Sequence, residues 1–413
     1  MTPERLRSRY AELLSREDFL NFDRLRRGSP WEGVDCWVWP GVVTRSEWEQ
    51  VRDFFEELTP RVLAVGLDIL DRKEEHRWLP DEPYLLQAIS DDPALYSPQV
   101  LWRFDFVWDR QGGRIDVLEV QAGDPSGLGW VDARASDYEE VAAWRALSQE
   151  FSLHYPSLSK PLCEAFQDLS QKGRPRVLFL AAPESTVKGD IEELASQCAR
   201  HEVDGSVCSP AALSDEVLQL QDVVYHDTYE ELYFPPHQPK GELLARYARQ
   251  GRVALVNPMR SNLWDSKALF SLLDGVLPTR RLSDCSLEEL RAEQDRWVLK
   301  PSFHYGGFGI VLGPECEAGQ WRAALDEAFK EPLKWVVQRY ASPTVELFPF
   351  ATDDSILWEP RFATWSAWVM QGKVAGLYLR VSTQTVTNVH QGGALMPVFV
   401  LGYGSAPNAS PKV

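Results

Sequence analysis

Apolar and polar positions along this chain alternate between two periods. Thr44-Arg45-Ser46-Glu47 has capping-box form, and Trp48, Val51, Phe54, Phe55 and Leu58 then recur at helical spacing. Residues 1–75 as a whole read as helical. At 99–122 the period shortens. QVLWRFDFVWD and RIDVLEVQA are two β-rich runs joined by Arg110-Gln111-Gly112-Gly113, which predicts a hairpin. Residues 137–172 return to helical pattern, broken near Pro156. Strands are then predicted at Arg176–Ala181, Asp222–His226 and Val253–Val256, with helices at 185–200 and 241–250. Strand–helix alternation at this spacing predicts a small parallel α/β layer. Residues 266–295 read as helices. Trp297–Lys300, Ile310–Leu312, Trp335–Tyr340 and 361–382 read as strands, with a helix at about 317–330. The tail after Leu401 reads as loose, and there is no internal repeat or low-complexity linker.

Length and charge narrow the function classes. The 413 residues suggest two or three structural units at roughly 150 residues each. With 43 Lys+Arg against 61 Asp+Glu, the net charge is −18, which disfavours nucleic acid as the main partner. A phosphate ligand remains open, provided a few cations gather locally. No apolar run approaches the ~20 residues of a membrane span, and the charged N-terminus does not read as a signal peptide. Six scattered cysteines without a CxxC pair fit reduced thiols. A cytoplasmic protein without membrane contact is expected.

Six segments carry candidate chemistry. A strand ending in Lys300 leads into a loop with Gly306, Gly307 and Gly309, and a second strand returns. Glycines let a backbone approach phosphate oxygens closely, and the lysine adds a point charge there. It is neither a Walker A loop nor a kinase set; a plain glycine-rich turn is the alternative. In the 99–122 hairpin, Arg103 and Asp105 share one face, as do Glu119 and Gln121. Two carboxylates and an amide oxygen there make either a hard oxygen site suited to Mg²⁺ or a solvated polar face. Leu118 and Val120, with Phe104 and Phe106, predict that the opposite face is covered. Lys267 opens a predicted helix, where a cation opposes the dipole; it reads as a ligand contact or an exposed lysine. Gln338 lies at a strand end able to meet a base edge, Arg380 ends a hairpin return, and Asn388 to Gly393 form a polar glycine-rich loop.

The order RFD-x-V-x-D, LE-x-Q-A-x-D-P, SKALF-x-LL, VLKP-x-F-x-x-x-G, VVQ-x-Y and G-x-x-AG-x-x-x-R resembles the synthetase domain of glutathionylspermidine synthase and its relatives, over roughly 95–395. Those are ATP-grasp enzymes of the circularly permuted kind, in which the metal carboxylates precede the nucleotide lysines. The resemblance implies a mixed α/β fold: an N-terminal helical region (1–95), a metal-binding hairpin with helices (96–172), a small parallel pre-ATP-grasp-like layer (173–260), a nucleotide-binding lid and core (261–400) and a loose tail (401–413). It implies ATP and Mg²⁺, two ions, as cofactors. Asp105, Glu119 and Gln121 match the metal ligands. Lys267 and Lys300 match the phosphate lysines, Gly306 to Gly309 the lid, and Gln338 the strand beside adenine. Arg103 and Arg380 match arginines facing the transferred phosphoryl group, and Asp124 and Ser126 the start of the substrate loop. The implied reaction joins a small-molecule carboxylate and an amine through an acyl phosphate, on an amino acid or short peptide, with Arg103 stabilising the oxyanion. Kinase-type transfer and nucleotide binding without turnover are the other readings. His304 and His390 read as loop or substrate contacts. Two departures stand out. The family has Asn where this chain has Gln121, and Ala-Asp-Thr-Pro where this chain reads Ala122-Gly-Asp-Pro-Ser-Gly. The family's N-terminal amidase domain is not expected here.

Overall fold

The computed structural model describes residues 3–27, 36–71, 98–226, 232, 238–304, 306–352, 355–389 and 392–402. The expected loose tail at 403–413, the end of the N-terminal region at 72–95, and His390 lie outside the described residues.

The largest sheet runs Gly41–Thr44, Ala394–Leu401, Lys373–Ser382, Ile356–Met370, Leu101–Asp109 and Arg114–Gln121. Thr344–Ala351 adds to Ile356–Met370, and Leu153–His154 to Ala394–Leu401. Gly41–Thr44 pairs parallel, and the other pairings are antiparallel. Distant parts of the chain therefore meet in one sheet, Gly41 opposite Val398.

The capping box forms as read: the Glu47 amide donates to Thr44 Oγ1 at 3.3 Å and the Thr44 amide to Glu47 Oε2 at 2.7 Å. It starts the helix Arg45–Asp71, which lays Trp48, Val51, Phe55 and Leu58 on the sheet. The Phe55 ring sits 5.0 Å from both Phe104 and Phe106. Gly66 in this helix faces Trp264, whose Nε1 donates to the Val62 carbonyl at 2.9 Å; a Cβ on Gly66 would lie 2.2 Å from that nitrogen. An exposed helical Gly→Ala change ordinarily stabilises by up to about 1 kcal/mol. Here the sign is expected to reverse: Gly66→Ala overpacks the indole and destabilises by about 1–3 kcal/mol. A thermal melt checks this, and a raised midpoint would contradict the packing.

The predicted parallel layer is present and carries one more strand. Its order is Asp204–Cys208, Arg176–Leu180, Val223–His226 and Ala254–Val256, all parallel. Asp204–Cys208 escapes the pattern because it is a half-exposed edge with polar residues. The helices Leu128–Asp137, Ser159–Ser170 and Lys188–Cys198 pack on one face of this layer, and Gln238–Arg249 packs on the other. A third, antiparallel sheet runs Val311–Leu312, Trp297–Pro301, Trp335–Arg339 and Thr279–Arg281 over the helix Ala318–Ala328. No helix among the described residues is long and apolar enough to cross a membrane.

The reading of 266–295 as helices needs correction. The chain there makes a 3₁₀ turn at Lys267–Leu272, the strand Thr279–Arg281 and only a short helix at Leu287–Ala292. Lys267 thus opens a 3₁₀ turn rather than an α-helix, and it is buried, which overturns the exposed-lysine alternative. The apolar run through Phe270 packs into the core without α-helical hydrogen bonding. The strand Ala394–Leu401 carries Pro397 and is buried on both faces, so it lacks a period-two signal in the sequence.

Candidate active site

The strand Leu101–Asp109 lies in the largest sheet between Ile356–Met370 and Arg114–Gln121. Trp102, Phe104, Phe106 and Trp108 occupy one face and pack into the main core. Asp105 points the other way, fully buried. Its Oδ1 accepts from Arg103 Nε at 3.1 Å and Ser366 Oγ at 2.6 Å. Its Oδ2 accepts from Arg103 Nη2 at 3.1 Å and Arg380 Nη2 at 2.7 Å. Ser366 stands opposite Asp105 in the neighbouring strand, and Arg380 comes from the strand beyond it. Burial pushes the Asp105 carboxyl up, but the two guanidinium groups and the Ser366 hydroxyl outweigh it and hold it well below the usual carboxylate range.

On the paired strand Arg114–Gln121, Glu119 stands opposite Asp105, and Gln121 opposite Arg103. The shared face read from the sequence is therefore real, but the covering of its opposite side needs a correction. A bulge between Asp105 and Phe106 shifts the register, so Val117, not Leu118, pairs with Phe106. Leu118 lines the cleft beside Glu119 instead of joining Val120 in the core.

Two lysines converge on this face. Lys267 Nζ lies 3.4 Å from Glu119 Oε2 and donates to the His304 carbonyl at 2.9 Å. Lys300, from Trp297–Pro301, is buried and donates to Gln338 Oε1 at 2.6 Å. Gln338 Nε2 in turn donates to Thr279 Oγ1 at 3.1 Å. Both ends of the Gln338 amide are thus engaged within the protein, and its side chain braces Lys300. Burial lowers the Lys300 amine to about 8; the Lys267 charge pushes the same way, while Glu119 and Asp105 oppose it.

These groups line one cleft. Asp105, Glu119, Lys267, Lys300, Gln338 and Arg380 are among its polar lining, and Val107, Leu118, Val298, Ile310 and Leu312 among its apolar lining. Gly306, Gly307 and Gly309 follow Lys300 with φ of 72°, 72° and 73°, a left-handed run that glycine makes without strain. Gly307 and the half-exposed Phe308 line the cleft.

Arg103, Gln121, Asp124 and Ser126 do not line it. Arg103 spends Nη1 on the Ser126 carbonyl at 2.8 Å and its other donors on Asp105, so it acts as a brace. Sequence reasoning missed Ser366, Thr279 and Thr364. Ser366 and Thr364 interrupt the otherwise apolar run from Phe362 to Met370, which was the available signal. Thr279 lay in a stretch read as helix.

The donor set can be tested against a metal. Among the described residues, no group of three or more His, Cys, Asp or Glu could hold one. Mg²⁺ usually takes one or two carboxylates and completes its shell with phosphate oxygens and water. Glu119 faces the cleft and fits that role for an ion arriving with a polyphosphate; Asp105 stands opposite it but already accepts four hydrogen bonds, so it would meet the ion only by exchanging one of them. Arg380 Nε is buried without a hydrogen-bond partner, which leaves a donor for an anion.

No protein-family model matches the chain. A Frankia alni protein provisionally named glutamate–cysteine ligase 2-3 is 30% identical over 136 residues, covering 28% of this chain and 16% of that protein. An uncharacterized protein of Mycobacterium tuberculosis is 27% identical over 223 residues, covering 46% of this chain and 38% of that protein. The chain therefore spans well under half the length of these curated relatives. A solved structure of a glutathione synthetase-like effector from Globodera pallida superposes with a TM-score of 0.57 over 88% of this chain and 89% of that one, at 11% identity. That likeness establishes a shared mixed α/β fold.

Proposed function

We propose that this chain is an ATP-dependent carboxylate–amine ligase of the ATP-grasp type, with its elements in the circularly permuted order. The observation that carries the reading is the cleft. Lys267, Lys300 and Arg380 meet Asp105 and Glu119 there, beside the apolar side chains of Val107, Leu118, Val298, Ile310 and Leu312. The permuted order is supported by the chain positions: the carboxylates at 105 and 119 precede the lysines at 267 and 300. The resemblance to a glutathione synthetase-like fold and to a named glutamate–cysteine ligase supports amide formation on an amino acid or short peptide.

In this reading, ATP with Mg²⁺, two ions, supplies the phosphoryl group that turns the carboxylate into an acyl phosphate. Phosphoryl transfer needs positioning and charge neutralisation more than covalent chemistry from the protein. Lys267 and Lys300 hold the phosphates, and Gln338 keeps the Lys300 amine aimed through its 2.6 Å hydrogen bond. The Gly306–Gly309 turn covers the phosphates with backbone N–H groups. Arg380 would offer the transferred group its unpartnered Nε, and Glu119, with Asp105, would hold the metal; Gln121, which does not line the cleft, would not reach it. Arg103 holds Asp105 in place rather than meeting the oxyanion, because its donors are committed to Asp105 and Ser126. Asp124 and Ser126 lead the substrate loop.

The test is phosphate release from ATP and Mg²⁺ across amino acids, short peptides and polyamines, with mass spectrometry of each mixture. A product lighter by one water than its two substrates supports the ligase. Release with an acid alone indicates kinase-type transfer, and tight ATP binding without release under any mixture overturns the reading. A pH dependence also follows. The Lys300 amine sits near 8, and only its charged form attracts phosphate. ATP affinity is expected to fall as pH rises through and above 8, because bound phosphate raises the amine's pKa. Lys300→Arg should flatten that profile between pH 7 and 9; calorimetric titration reads both.

A further inference from the structure

One buried carboxylate plays no part in this chemistry. Asp190 lies on the helix Lys188–Cys198, on the parallel layer, with 1% of its surface exposed. Its Oδ2 accepts from the Gly127 amide and its Oδ1 from the Trp130 amide, both at 2.7 Å. Those N–H groups belong to the start of the helix Leu128–Asp137. The N-cap residue of that helix, Gly127, has φ 103° and no side chain to satisfy them. The cap is therefore supplied by a residue 63 positions downstream of Gly127.

The loop that this cap closes is the one between Gln121 and the helix. Its other end is fixed separately. Asp265 Oδ1 accepts from the Ala122 and Gly123 amides at 2.6 and 3.2 Å, and Asn257 Nδ2 donates to the Ala122 carbonyl at 2.6 Å. Between the two anchors, the Ser126 carbonyl accepts from Arg103 Nη1 at 2.8 Å, and Arg103 holds Asp105 with two further bonds. The helix carrying Asp190 approaches very closely. A Cβ on Gly129 would lie 2.3 Å from the Asp190 carbonyl oxygen, and Gln197 Nε2 donates to the Gly129 carbonyl at 3.0 Å. Neither helix can slide without losing these contacts. Burial pushes the Asp190 carboxyl up to about 6, opposed by backbone N–H groups and the Arg103 charge. A neutral Ser or Asn cap would satisfy N–H groups without burying a charge. A charged cap holds them more tightly.

We propose that Asp190 is a positioning residue: it locks the Gly127 end of the 122–127 loop and so sets the Ser126 carbonyl that holds Arg103 against Asp105. Its effect on turnover rests on the ligase reading; its effect on the loop does not. Hydrogen exchange by mass spectrometry on the full chain, with ATP titration and turnover, tests both parts. Asp190→Ala is expected to speed exchange in peptides covering 122–131 about tenfold, the scale of a lost helix cap. Asp190→Asn keeps one acceptor oxygen and should restore part of that protection. ATP affinity should stay within about threefold of wild type in both, while kcat falls roughly tenfold or more in Asp190→Ala and less in Asp190→Asn. Unchanged exchange at 122–131 in both variants would overturn the proposal. So would a rise of equal size throughout 176–226, which marks general loosening, or faster loop exchange with kcat intact. Should wild-type protein turn over no substrate, the ligase reading fails, and the exchange contrast still decides the loop lock.

Discussion

Asp105→Asn is expected to abolish turnover and to destabilise the fold, by about 3–5 kcal/mol. The carboxylate is fully buried and accepts four hydrogen bonds, three of them from Arg103 and Arg380. An amide of the same size keeps the shape but takes the shared carboxylate from the buried Arg103 and the partly buried Arg380. Breaking such a group from one side costs more than the intact group contributes, because the remaining charges stay desolvated. The pH dependence gives an independent check. In the folded protein the Asp105 carboxyl lies well below its ordinary range, so its stabilisation is present above the unfolded value near 4 and is lost as pH falls toward the folded one. The stability gap between wild type and Asp105→Asn should therefore shrink in acid. Chemical denaturation at pH 7 and pH 3 reads this, and a constant gap would contradict the assigned pairing.

Lys300→Met is expected to do the opposite to stability while removing the same function. The amine is buried, and burial lowers it to about 8, so the fold disfavours its charge. Replacing it with an apolar chain of similar length relieves that burial and leaves Gln338 Oε1 unpaired, at about 1 kcal/mol. The melting temperature should hold or rise. ATP binding should weaken roughly 100-fold, the scale of a charge-assisted contact of about 2–3 kcal/mol. Between about 8 and the ordinary lysine value the unfolded chain holds more protons than the folded one, so wild-type stability rises with pH across that window. The variant should lack the rise. Calorimetric titration with differential scanning fluorimetry separates the two effects, and a destabilised Lys300→Met with normal ATP binding would remove Lys300 from the site.

Much of the candidate site is legible along the chain. The two-residue period of RFDF and LEVQ puts Arg103 with Asp105 and Glu119 with Gln121, and the strand register keeps that pairing. Lys300 at a strand end before three glycines is equally plain. What the pattern misses is set by contacts between distant residues. Leu118 reads as a core residue, and only the bulge opposite Phe106 turns it to the cleft. Gln338 reads as a base contact; Thr279 and Lys300, far away in sequence, take both ends of its amide. Lys267 reads as the start of a helix, whereas a 3₁₀ turn holds it between Glu119 and the His304 carbonyl.

The sequence by itself determined the alternating layers, the hairpin face with its two carboxylates, and the lysines that stand near a glycine-rich turn. These follow from local periodicity, capping and backbone freedom, which act over a few residues. Only the tertiary structure decided which charges are spent inside the protein and which face the cleft. Arg103 turns to Asp105 and Ser126, Arg380 keeps a buried Nε without a hydrogen-bond partner, and Asp190 caps a helix from another layer. Those outcomes depend on strand register and on the burial of charge among residues hundreds of positions apart, such as Asp105 and Ser366, which no local window of the chain contains.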